Sequence, residues 1–223
     1  MYVTPYFPEP EAVAGNIAAE NYDVRLAFIR RVMFYTWCSV AGLCAVSAFP
    51  LQAVPSETSW LLVLGGLLLL TAARRWKSGG MADRLSAWIV FPITLVALGH
   101  ALDSWTAFGH LPTILLVAVT VASLYVLLCK RDLSFLGMFM LGWPATIVIL
   151  FIVGEWSGTA WYGLPSILIA TAVLFFLVYD LASLLQRRRA GEEGLAMVDI
   201  YRDTLNFITY GFRVIHHWRN FKL

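Results

Sequence analysis

The chain has 223 residues, 60% of them apolar and only 13% charged, and its mean hydropathy is +0.73. A soluble domain of that composition would lack the polar surface to coat itself, so the lipid bilayer is the expected solvent. The net charge of +2, with no long run of Lys or Arg, sets nucleic acid aside as a partner.

In chain order, residues 1–24 read as a cytoplasmic or interfacial tail. Pro5, Pro8 and Pro10 make its first part a poor helix, and Glu9, Glu11, Glu20 and Asp23 precede any Arg. No apolar core followed by a cleavage site is present, so neither a signal peptide nor a basic transit peptide is expected. The tail is expected to lie on the membrane surface or on a partner. Residues 25–223 form the membrane domain, read as an all-α, seven-transmembrane-helix bundle.

Seven apolar runs mark the spans, bounded roughly by Val32 to Val54, Ser59 to Ala73, Leu85 to Leu102, Leu111 to Cys129, Ser134 to Gly154, Leu164 to Leu185 and Leu195 to Ile215. The second is short and spans if Arg74 and Arg75 snorkel toward the headgroups. Cys38, Cys44 and Cys129 show no CxxC or His-spaced pattern and read as small buried hydrophobes. Trp60, Trp76, Trp105, Trp156, Trp161 and Trp218 fall at or near span ends, where amphipathic rings settle.

Basic residues set the orientation. With the N-terminus in the cytoplasm, Arg25, Arg30, Arg31, Arg74, Arg75, Lys77, Arg84, Lys130, Arg131, Arg187, Arg188 and Arg189 are all inside. The connections on the opposite face contain no Lys or Arg, as the positive-inside bias requires. An integral protein of the bacterial inner membrane is the expectation.

Ionisable residues inside spans are the candidates for function. In the last span, Asp199, Asp203, Asn206, Tyr210 and Arg213 fall within a sector of ~80° at 100° per residue. Such a stripe cannot face hydrocarbon cheaply, so the last helix is expected to be central. Asp180, seven residues before Arg187 in the sixth span, lies at a depth similar to that of Asp203 on the antiparallel neighbour. Two carboxylates that meet there would share a proton near neutral pH and rearrange when it leaves, making a proton-sensitive gate or cation site. Ion pairs of Asp180 with Arg202 or Arg213, and of Asp199 with Arg202 at i,i+3, are the structural alternative. Gly65, Gly66, and Gly142 with Pro144 read as packing and kink devices. His100, Asp103 and His110, near a water-facing loop, are weak metal ligands, and no metal site or enzymatic nucleophile is expected.

Tyr179 and Asp180 before a basic loop, followed by Ala196, Ile200, Tyr201, Asp203, Leu205, Asn206, Phe207 and Arg213, resemble the last two spans of the Bax inhibitor (transmembrane Bax inhibitor motif) family. Phe28, Arg30 and Arg31 resemble the entry to its first span. The chain is thus similar to a divergent bacterial member, the likeness being specific over roughly the last fifty residues. The resemblance implies a seven-helix protein with a calcium-leak activity controlled by protonation of an aspartate pair, Asp180 and Asp203, with calcium or the proton as the ion moved and no resident cofactor. It also implies a latching arginine from the second span, for which Arg74 and Arg75 at that span's end are the candidates. Leu181 departs from the family's threonine, and Arg202 from its apolar residue, placing a positive charge beside the pair. That charge, the divergent middle and the proline-rich tail motivate an alternative: a non-enzymatic accessory subunit or regulator bound to a larger membrane protein complex or membrane protease.

Overall fold

The computed structural model describes residues 13–48, 55–76, 79–103, 110–130, 137–156 and 164–204. Among them the fold is all-helical, without strands. After a 3-10 turn, Ile17–Ala19, come α1 (Tyr22–Ala48), α2 (Ser56–Trp76), α3 (Met81–Asp103), α4 (Leu111–Cys129), α5 (Trp143–Trp156), α6 (Leu164–Arg187) and α7 (193–204). Six of these segments are long and apolar enough to cross a membrane: Tyr22–Ala48, Glu57–Arg74, Met81–Leu102, Leu111–Cys129, Met138–Trp156 and Pro165–Arg187. The seventh expected span, Leu195 to Ile215, is described as helix only to residue 204. Asn206, Tyr210 and Arg213 lie outside the described residues.

The helix ends follow from local chemistry. Asp83, in the first turn of α3, accepts a hydrogen bond from Gly79 N at 2.9 Å, and Gly79 at φ +70° supplies the left-handed turn before the helix. Pro112 sits in the first turn of α4, where a missing N–H goes unnoticed. Ahead of α5, Met138–Gly142 is a turn of π-helix closed by Trp143 N donating to Met138 O. Pro144 follows at once. Its missing N–H interrupts the i→i−4 ladder and gives the widened turn its physical cause.

The first helix begins at Tyr22, ten residues before the apolar run at Val32. Charges interrupt that opening stretch, yet its Leu26, Phe28 and Ile29 are buried. Hydropathy averaging hides a helix end whose inner face is apolar and whose outer face is basic.

Besides a small cluster of Ile114, Val117, Leu150 and Ala170 that joins α4, α5 and α6, two larger apolar cores organise the bundle. One joins α1, α4 and α6 through Val32, Met33, Ala118, Ala122, Leu177 and Leu181; the other joins α2 and α3 through Val63, Leu70 and Phe91. The described part of α7 packs into both, Ala196 and Ile200 into the first and Val198 into the second. It runs parallel to α1. Arg31 reaches Glu193 at 3.2 Å and the Ser39 hydroxyl meets the Tyr201 hydroxyl at 2.7 Å, so eight residues of rise on one helix match eight on the other. Close approach of α2 and α3 depends on Gly66, where a Cβ would run into Thr94 Oγ1; next to it, Gly65 faces open space.

Outward faces carry exposed Leu61, Leu68, Trp76, Trp88 and Trp156, an apolar surface far beyond what a water-soluble monomer presents. Cys38 and Cys129 share that outer surface rather than the interior expected of them, and only Cys44 is partly buried. Their helical positions point them away from neighbouring helices, which a composition-based reading of cysteine does not register.

Candidate functional site

The charges of the last two helices meet in one buried layer at the junction of α2, α3, α6 and α7. The five-residue connection 188–192, turned by Gly191 at φ +87°, folds the end of α6 back beside the start of α7. Arg187 and Arg188 are therefore brought beneath α7.

Asp180 and Asp203 share one partner. Arg187 Nη2 donates to Asp180 Oδ1 at 3.1 Å and lies 2.8 Å from Asp203 Oδ2. Arg187 Nε also reaches the Ser183 carbonyl at 3.4 Å, holding the side chain back along its own helix. The two carboxyl groups are also close enough to interact electrostatically with each other. Asp180 is 2% exposed, while the side chains of Asp203 and Arg187 keep a small accessible area.

A second set lies beside it. Arg188 grips Asp199 with two hydrogen bonds, Nε to Oδ2 at 2.7 Å and Nη2 to Oδ1 at 2.9 Å, and gives a third from Nη1 to Asp83 Oδ2 at 3.2 Å. Arg74, from the end of α2, lies 3.3 Å from Asp199 Oδ1. Arg202 completes the ring, pairing with Asp199 one turn before it and donating from Nη1 to Leu70 O of α2 at 3.2 Å. Asp199 is fully buried, and Arg188 and Arg202 are nearly so. Charges at such depth persist only when paired and hydrogen-bonded.

The balance across both sets is even. Arg74, Arg187, Arg188 and Arg202 face Asp83, Asp180, Asp199 and Asp203, and Glu192 stands at the edge, 3.9 Å from Arg188.

Sequence spacing placed Asp199 and Asp203 on one stripe. On that helix Asp199 pairs with Arg188, Arg74 and Arg202, and Asp203, one turn on, with Arg187. Asp180 has Arg187, its own i+7 neighbour, as ion partner in place of Arg202. The i,i+3 pair of Asp199 with Arg202 is present. Arg74 belongs to the layer but pairs with Asp199, while the side chain of Arg75, like Asn206, Tyr210 and Arg213, lies outside the described residues.

Arg187, Arg188 and Asp83 were not among the site candidates from sequence. The arginines read as loop charges because they end a hydrophobic run, and Asp83, in the first turn of α3, carried no reading. Their signal was the brevity of the 188–192 connection, which leaves the end of α6 no way to point far from Asp199.

No family model matches the chain, and neither a curated protein nor a solved structure matches it.

Proposed function

We propose that the chain is a seven-helix integral protein of the bacterial inner membrane, N-terminus in the cytoplasm, in which the Asp180–Asp203 pair gates a pH-sensitive leak of cations, calcium by class, in the manner of the Bax inhibitor family. The observation that carries this reading is the convergence of two carboxylates from neighbouring helices on a single guanidinium nitrogen, with Asp180 buried and Asp203 and Arg187 largely so. With both carboxylates ionised, Arg187 ties α6 to α7 through charge-assisted hydrogen bonds. Acid protonates one of them, weakens the tie and lets the helices separate, exposing carboxyl oxygens that suit a hard divalent cation. Arg74, anchored to Asp199, would hold α2 against α7 in the closed state.

Calcium entry into liposomes containing the purified protein tests it. Asp180→Asn and Asp203→Asn should each abolish the dependence of flux on pH. Unaltered flux in both variants, or no flux from the unsubstituted protein, defeats the reading.

The even match of four guanidinium groups to four aspartates favours a second reading, a rigid accessory subunit whose charge layer is structural. Purification in mild detergent would then bring down a stoichiometric partner complex.

A further inference from the structure

The segment ahead of α1 is fastened to the same turn that carries the arginines. Val13 N donates to Gln186 O at 3.1 Å and Ile17 N to Arg188 O at 3.0 Å, so two carbonyls that the end of α6 leaves without helical partners are taken by the segment's backbone. From the other side, Arg189 Nε donates to Ala14 O at 3.1 Å. Asn16 shapes the segment, accepting from Ala19 N at 3.1 Å and donating to Val13 O at 2.9 Å. Ile17 is fully buried and joins the core that contains Leu181 and Leu184 of α6 and Ala196 and Ile200 of α7. Arg188 thus has its carbonyl held by the segment and its side chain by Asp199 and Asp83.

We propose that residues 13–20 are a regulatory strap: they clamp the turn between α6 and α7, and their release loosens Arg187 and Arg188 together, opening the aspartate pair. The mechanical half stands on the contacts above, and only its consequence for ion flux rests on the gating reading. The strap is suited to this work because it grips backbone at 186 and 188, either side of Arg187. Moving it shifts the origin of the guanidinium that ties Asp180 to Asp203, with no change in either carboxylate.

The test uses the full chain in lipid nanodiscs and follows amide hydrogen exchange. Asn16→Ala combined with Arg189→Ala removes polar strap contacts at positions that are not fully buried, and Ile17→Asp is the stronger disruption. Exchange at 186–189 and at 199–203 should both quicken about tenfold, the factor that loss of one hydrogen bond of ordinary net strength produces. Quickening confined to 13–20 and 186–189, with 199–203 unmoved, overturns the proposal, because the strap would then be a local helix cap. Calcium flux in liposomes is measured in parallel. If exchange couples as expected while the unsubstituted protein passes no calcium, the strap stands and the calcium reading falls. If flux responds to Asp180→Asn but exchange at 199–203 ignores the strap, the strap falls and the calcium reading stands.

Discussion

Replacing Arg188 by Met keeps most of its length and removes its charge. The side chain is 1% exposed and gives three hydrogen bonds, two to Asp199 and one to Asp83. Breaking one partner out of a buried ion pair costs ~3–5 kcal/mol because the other charge stays behind without compensation. Here Asp199 keeps Arg74 and Arg202, and Asp83 keeps the Gly79 N–H, so the loss belongs at the lower end, about 3 kcal/mol. Reversible unfolding in mixed micelles would measure it, with Arg84→Met, at an exposed position of α3, as the control showing no measurable change. Adding Asp199→Asn to Arg188→Met should cost less than the two single losses together by at least ~1 kcal/mol, since each single change strands a charge that the other removes. An Arg188→Met protein as stable as the Arg84→Met control would refute the buried layer. Strict additivity of the two changes would refute the pairing.

Arg187→Gln leaves Asp180 and Asp203 facing each other without their shared cation. At pH 8 two like charges then repel, whereas at pH 5 they can hold a proton between them, so this variant should lose more stability at pH 8 than at pH 5, as thermal unfolding at the two pH values would read. The adjacent glycines of α2 should behave oppositely. Gly66→Ala forces a Cβ onto Thr94 and should cost ~1–3 kcal/mol, while Gly65→Ala, facing open space, should be neutral, and Thr94→Ala should rescue the first in a paired unfolding measurement.

Helices were legible in this sequence to the extent that apolar runs define them. Leu111 to Cys129 is read to the residue, because α4 carries no charge and ends at Lys130 in a left-handed turn. The first helix was read short by ten residues, because Arg25, Arg30 and Arg31 interrupt its hydropathy while Leu26, Phe28 and Ile29 still face the core. The site divides the same way. Asp180 stood out as a lone acid in an apolar stretch, and Asp203 as a member of a polar stripe in the last span. Arg187 and Arg188 did not, since a cation at the end of a span ordinarily belongs to the headgroups. Nor did Ile17, in a short segment ahead of α1 that carries no long apolar run, whose burial is decided by the distant end of α6.

Charge balance gives acid a wider target than the aspartate pair alone. While all four aspartates are ionised, their number equals that of the four guanidinium groups, although Arg187 takes two of them and Arg74, Arg188 and Arg202 share Asp199, and the layer binds α2, α3, α6 and α7 together. A proton on Asp203 or Asp180 leaves Arg187 with one anion where it had two. The same proton on Asp199 would weaken its ties to three arginines at once. On the gating reading, the Arg188 set ties α2, α3 and α7 together whether or not Asp180 or Asp203 holds a proton, and the contact that acid loosens is that of α6 with α7, which residues 13–20 clamp from outside.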